Sequence, residues 1–280
     1  MNAMSFSDMG LSALKRRQFD AAINMLRQAL GEDMDNLAAR FGLARALHEK
    51  GSIVEALGEY RTVLQSDGGH EECLHHIARA LLQNGDARSA LNHADIVLRA
   101  KPTDPELLVL RAQALIALEN YDTALSSLQS AAHHNPGSEP IHRLIAKCHR
   151  ANEDFESERR AVEQLLRINP SSLEASNDLG VINLREGQLI AAFEAFEQIL
   201  SEDSEHAPAT LNRAIALTVM GGMDHDAIWS RVMDVCSDED DLEDIRKLAD
   251  AVAKLPDDTR KTSAEAKALI ARAIQKEIAI

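Results

Sequence analysis

Aromatic side chains are scarce in this chain. They make up 3% of it, with a single Trp, Trp229, and two Tyr. Little alternating Val, Ile, Thr and Tyr is present, while Ala and Leu abound, so strands are disfavoured and an all-α fold is expected. Cysteine is rare too. Cys73, Cys148 and Cys236 are an odd count without paired spacing, which leaves no disulfide framework and no four-cysteine zinc site. They read as buried or incidental thiols of a reducing compartment. No apolar run approaches the roughly 18 residues of a membrane span. The N-terminal stretch lacks a basic segment followed by an apolar one, so a cytoplasmic location is expected, with Met4 a second candidate start. Positive charge is in deficit: 30 Lys and Arg stand against 45 Asp and Glu, a net −15. That balance argues against general nucleic-acid binding, which needs a basic footprint. A phosphate-binding Gly-rich loop, a GxSxG elbow and a Cys/His pair with a third orienting group are all missing. A non-enzyme without cofactor or metal is the expectation.

What the 280 residues do contain is a period. The blocks "KGSIVEALGEYRTVL", "NGDARSALNHADIVL" and "LENYDTALSSLQSAA" begin at Lys50, Asn84 and Leu118, steps of 34 residues. "NEDFESERRAVEQLL" from Asn152 and "EGQLIAAFEAFEQIL" from Glu186 continue the series. Extending the frame gives repeats 3–36, 37–70, 71–104, 105–138, 139–172, 173–206 and a degenerate 207–236, followed by capping helices over 237–280. The eighth place is always small: Gly10, Ala44, Ala78, Ala112, Ala146, Gly180 and Ala214. The twentieth is Ala22, Ala56, Ala90, Ala124, Glu158, Ala192 and Asp226. Small residues recur where two antiparallel helices cross closely. Gly51, Gly85, Gly187 and Gly221 mark helix ends, and Pro102, Pro136 and Pro170 close second helices. In the tail, helices are expected from Asp241 to Leu255 and from Ser263 onward, with Ser263 as N-cap.

This pattern resembles the tetratricopeptide repeat (TPR) family. The resemblance covers about Ala3 to Gly222, although the family's aromatic places are poorly kept and Arg111 and Arg213 replace an apolar seventh residue. It implies a right-handed superhelical solenoid of helical hairpins, with a concave groove lined by first helices at places 2, 5, 9 and 12. Carried onto this chain, the groove face comprises Phe41, Arg45 and His48; His75 and Arg79; Val109, Gln113 and Ile116. It continues through Arg143, Lys147 and Arg150; Asn177, Val181 and Leu184; and Leu211 and Ile215. "IHRLIAKCHR", residues 141–150, thus becomes a cationic stripe on the groove of an acidic protein, with a merely solvated face as the bland alternative. Cations among apolar residues suit a protein or peptide partner with acidic or C-terminal carboxylate groups and apolar anchors.

The family's clamp for a Glu-Glu-Val-Asp tail is not matched. Its places hold Ser7, Leu11, Gly42, Glu72 and His76 in one window, and Arg143, Lys147, Asp178, Pro208 and Asn212 in another. The histidines of "HEECLHH" read as exposed solenoid residues rather than a metal site, since Cys73 or His75 would have to join Glu72 and His76 from a different face. Glu158 and Asn183 stand at helix-facing places, where a buried acid needs a partner; Asn183 and His149 are the candidates. The leading reading is a scaffold for complex assembly or for secretion or pilus machinery. The alternatives are a self-assembling protein whose apolar tail docks on another copy, making a homo-oligomer, and a non-catalytic targeting subunit of an enzyme.

Overall fold

A computed structural model describes residues 5–221, 225–236, 242–256, 261 and 263–279. Sixteen helices and no strand occur among them. Two compact units form, one up to Pro136 and one from Gly137. The first holds four hairpins: α1 (Phe6–Lys15) with α2 (Phe19–Glu32), α3 (Leu37–Glu49) with α4 (Ile53–Ser66), α5 (Glu71–Gln83) with α6 (Ala87–Ala100), and α7 (Pro105–Ala117) with α8 (Tyr121–His134). The second holds α9 (Glu139–Ala151) with α10 (Phe155–Ile168), α11 (Leu173–Arg185) with α12 (Leu189–Glu202), and α13 (Ala207–Met220) with the shorter α14 (His225–Val235). Then come α15 (Leu242–Ala253) and α16 (Ala264–Ala279).

From α3 to α13, every first helix begins at place 1 of the 34-residue frame, and every second helix of the first six repeats begins at place 17. Local signals set these ends. Asn36, His70, Asp104, Ser172 and His206, all at place 34, accept a backbone N–H from the first turn of the next helix. Ser263 does the same for α16, accepting the Ala266 N–H at 2.9 Å. Between the helices of each hairpin the chain must reverse within a few residues. Place 15 takes up that reversal with a left-handed backbone in all seven repeats. Gly51, Gly85, Gly187 and Gly221 have φ of 76° to 89°, and Arg17, Glu119 and Glu153 are held at 57° to 59°. Glycine bears that conformation without a Cβ clash, whereas the other three residues do not.

The small eighth residue lets the helices of a hairpin touch. A Cβ on Gly10 would strike the side chain of Leu26, and one on Gly180 would strike the ring of Phe196, both place 24 of the same repeat. The Ala residues at place 8 are 0–2% exposed. Arg111 and Arg213, which interrupt the apolar seventh place, each pair with the place-25 acid of the preceding repeat. Arg111 Nε lies 2.7 Å from Asp95, and Arg213 Nε lies 2.6 Å from Glu197. Cys73, Cys148 and Cys236 are buried free thiols; burial pushes Cys73 up to about 12 and Cys148 up to about 11. Among the described residues no helix is long and apolar enough to cross a membrane.

Place 15 makes a direct prediction. Glu153→Gly should raise the urea stability of the chain by about 0.5–1 kcal/mol, because it removes the left-handed penalty at an exposed position. Gly85→Ala should lower it by about as much.

Candidate peptide-binding faces

In the first unit the first helices pack on one another in sequence, α1 to α3, α3 to α5 and α5 to α7. The second helices make no contact of that extent among themselves. The layer with the closer neighbours lies inside the curve, so α3, α5 and α7 line a concave face. Phe41, on α3, is buried. His70 and His76 approach its ring at 4.8 and 5.7 Å, and the Arg45 guanidinium lies 5.7 Å from its centroid. His76 also stacks on Tyr60, nearly parallel at 6.2 Å, and on His75 at 5.6 Å. Cys73 points the other way, with Sγ 3.5 Å from the Tyr60 carbonyl oxygen. The residues of "HEECLHH" therefore divide between face and core.

His48 is buried between two partners. Nε2 lies 2.9 Å from Gln83 Oε1, and Nδ1 lies 3.4 Å from the Tyr60 hydroxyl. One neutral tautomer satisfies both, with Nε2–H donating to Gln83 and Nδ1 accepting from Tyr60. Burial lowers its pKa, and Arg79 adds to the lowering against the Gln83 hydrogen bond and Glu49. His75 is lowered by burial as well, with Glu106 opposing. His76 is held down to about 3, first by burial and then by Arg45, His75, Arg79 and His48. The floor is thus neutral and aromatic. Its cations are Arg45, half-buried, and Arg79, exposed, neither of which forms an ion pair with any described residue, while the exposed Glu72 and Glu106 stand at the starts of α5 and α7. Val109 and Ile116 are half-buried and Gln113 is exposed along α7.

The second unit differs. In the stripe of α9, Arg143 and Lys147 are exposed, and Arg143 binds Glu139 one turn back at 2.6 Å. Arg150 is not a free groove cation. It is 8% exposed and is bound by Glu158 at 2.6 Å and Asp178 at 2.8 Å. Glu158, 1% exposed, also meets Arg185 Nη2 at 2.7 Å, and the Arg185 guanidinium lies 3.9 Å over the Phe155 ring. The partners expected for Glu158 are therefore replaced. Asn183 accepts from Arg159 at 2.8 Å, and His149 lies beside Asp154. The reason is position. A carboxylate at place 20 is desolvated by the helix crossing, and arginines at place 12 of its own repeat and place 13 of the next reach it.

Asn177, Val181, Leu184, Leu211 and Ile215 are all buried. They do not face solvent, because α16 packs on α11 and α13 and touches α9, with α15 beside it. Val181, Leu184, Leu211 and Ile215 share one apolar cluster with Ala266 and Leu269 of α16 and with Trp229 of α14. Asn212 donates to Asn177 at 3.1 Å within this face, and Trp229 Nε1 donates to Thr218 at 3.1 Å. That burial is invisible to a repeat frame, since α16 lies outside the period. The only sequence signal was the apolar character of the tail.

The tetratricopeptide repeat family model matches residues 7–71, 76–139 and 143–217, most of the chain. The chain belongs to the tetratricopeptide repeat family. Among solved structures, a tetratricopeptide repeat protein from Parabacteroides merdae superposes with a TM-score of 0.66 at 17% identity, covering 96% of this chain and all of that one. A MamA fragment, residue 41 to the end, from Desulfovibrio magneticus RS-1 gives 0.57 at 17% identity, over 60% of this chain and 94% of that fragment. YrrB, described as a TPR protein with an unusual peptide-binding site, gives 0.54 at 17% identity, over 65% of this chain and 93% of YrrB. At these identities the likeness is one of fold. A comparison with curated proteins gives no significant match.

Two predictions follow from the buried charges and imidazoles. Glu158→Ala restores the usual small residue yet should cost the second unit about 3–5 kcal/mol in urea unfolding, because Arg150 and Arg185 lose their shared anion. The first unit should weaken in acid. Its folded state keeps His48, His75 and His76 neutral while the unfolded chain protonates them near 6.5. Stability is therefore full above about pH 6.5 and falls as pH drops toward the folded values. A loss of about 1–2 kcal/mol between pH 7 and pH 5 is expected by circular dichroism in urea, and His76→Phe should shrink it.

Proposed function

We propose that the protein is a non-catalytic interaction scaffold whose first unit binds an acidic peptide segment with apolar anchors on the face of α3, α5 and α7. One observation carries the reading: in a chain of net charge −15, Arg45 and Arg79 stand on one aromatic-floored face without an ion pair to any described residue, with Arg45 over the Phe41 ring. An arginine fork without a carboxylate beside an aromatic floor suits a carboxylate ligand. His75, Val109 and Ile116 supply half-buried apolar and aromatic surface for anchors over the buried Phe41, and Gln83 and Gln113 supply polar edges. On the second unit, taken by itself, Arg143 and Lys147 are exposed cations of α9, with Arg143 bound to Glu139. Family membership supports a protein or peptide as the ligand class, as does the peptide-binding site ascribed to YrrB. A cytoplasmic role in assembling a larger complex, such as secretion or pilus machinery, fits this reading.

Selection from a random peptide library tests it. Enriched sequences should combine Asp, Glu or a free C-terminus with Leu, Ile or Phe. An Arg45→Glu/Arg79→Glu chain should bind them at least about tenfold more weakly, and raising salt from 50 to about 300 mM should weaken the parent complex. Neutral selected peptides, or unchanged binding by the folded double variant, would sink the proposal.

A further inference from the structure

The same repeat places are treated in opposite ways by the two units. On α3, α5 and α7 of the first, only Phe41 and His48 among the groove-place residues at 5, 9 and 12 are buried. On α11 and α13 of the second, Asn177, Val181, Leu184, Leu211, Ile215 and Thr218 all are. Repeats of one frame build the same face, so the difference lies in what covers it, and the cover is α16.

We infer that the inner face of α11 and α13 is a helix-binding groove whose resident ligand is the chain's own C-terminal helix, and that an amphipathic helix of like spacing competes for it. Four observations bear on this. First, α16 stands outside the 34-residue period and carries its own start signal in Ser263, so it is specified as a helix independently of the face it covers. Second, its described inward residues, Ala266, Leu269 and Ile270, fall at spacings of three and four, while Glu265, Lys267, Ala268 and Ala271 are exposed. That is the single-stripe pattern by which amphipathic helices enter grooves. Third, the floor is not purely apolar: the Asn177–Asn212 pair and the Thr218 hydroxyl lie within it. Amides bonded to one another can be rehydrated when the cover leaves, so opening this face costs less than opening an apolar core of equal area. Fourth, Trp229, α14 and α12 hold α13 from the other elements of the unit, so the groove has support that does not pass through α16. α15 packs beside α16 and on α13.

The assignment gives the two units different states: an open face on the first and a self-occupied face on the second. A partner helix with small and branched apolar residues at i, i+3 and i+4 would gain the second face only by displacing α16. The reading is independent of the acidic-peptide proposal, because none of its residues is a cation of the first unit.

The experiment uses the full chain. In the unmodified protein, hydrogen exchange of the amides in 266–271 should run at least about tenfold faster than in α11 and α13, since a resident ligand opens without unfolding its groove. Exchange of α16 together with α11 and α13 as one cooperative unit overturns the inference. In a full-length Leu269→Asp chain, a fluorescein-labelled peptide of residues 263–280 should bind at least about tenfold more tightly than to the unmodified chain, where α16 competes. Trp229 emission should stay at its buried wavelength. Equal binding to both chains, or a red shift of Trp229 with loss of helical signal beyond one helix, shows α16 to be a core element and overturns the inference.

Discussion

Every feature of this protein depends on the close crossing of two antiparallel helices within 34 residues. Place 8 must be small because place 24 fills the space above it, as Leu26 does over Gly10 and Phe196 over Gly180. A hairpin made this way buries only one side. Its remaining apolar surface is covered by the next hairpin, and the stack grows until something unlike a repeat ends it. The left-handed residue at place 15 serves the same crossing. It reverses the chain tightly enough to bring places 8 and 24 together, and three repeats tolerate that conformation without glycine.

Departures from the rule at the crossing have consequences at the surface. Glu158 takes a place that Ala holds in five other repeats, and the desolvated carboxylate draws in Arg150 and Arg185. Arg150 stands at a groove place by its repeat number, yet it serves the interior. The three-cation stripe of α9 is therefore two exposed cations and one structural one. Arg111 and Arg213 solve a similar problem with acids from the preceding repeat, so charge that looks like a flaw in one repeat becomes a link between two. In the first unit no acid answers Arg45 and Arg79. Arg45 lies over the Phe41 ring, and His48, His75 and His76 beneath the face are held neutral, which is why that face rather than the stripe of α9 carries the functional reading.

The two units also show that groove position and groove accessibility are separate properties. Position follows from the period: helices start at places 1 and 17 and first-helix caps fall at place 34, while the small crossing at place 8 was legible in the sequence. Accessibility depends on segments that do not repeat. Val181, Leu184, Leu211 and Ile215 read as groove residues equally well, and they are buried because a helix from the end of the chain lies on them.

The sequence by itself determined the repeat length, the small-residue crossings and the all-α solenoid class. These depend on contacts within one hairpin and its neighbour, between residues at constant separation in the chain. Only the tertiary structure decided which carboxylate takes which arginine, that Arg150 turns inward, and that α16 covers α11 and α13. Those contacts join residues at irregular separations of up to about a hundred positions. Their partners are chosen by distance, desolvation and free surface in the folded chain, and no periodic pattern encodes them.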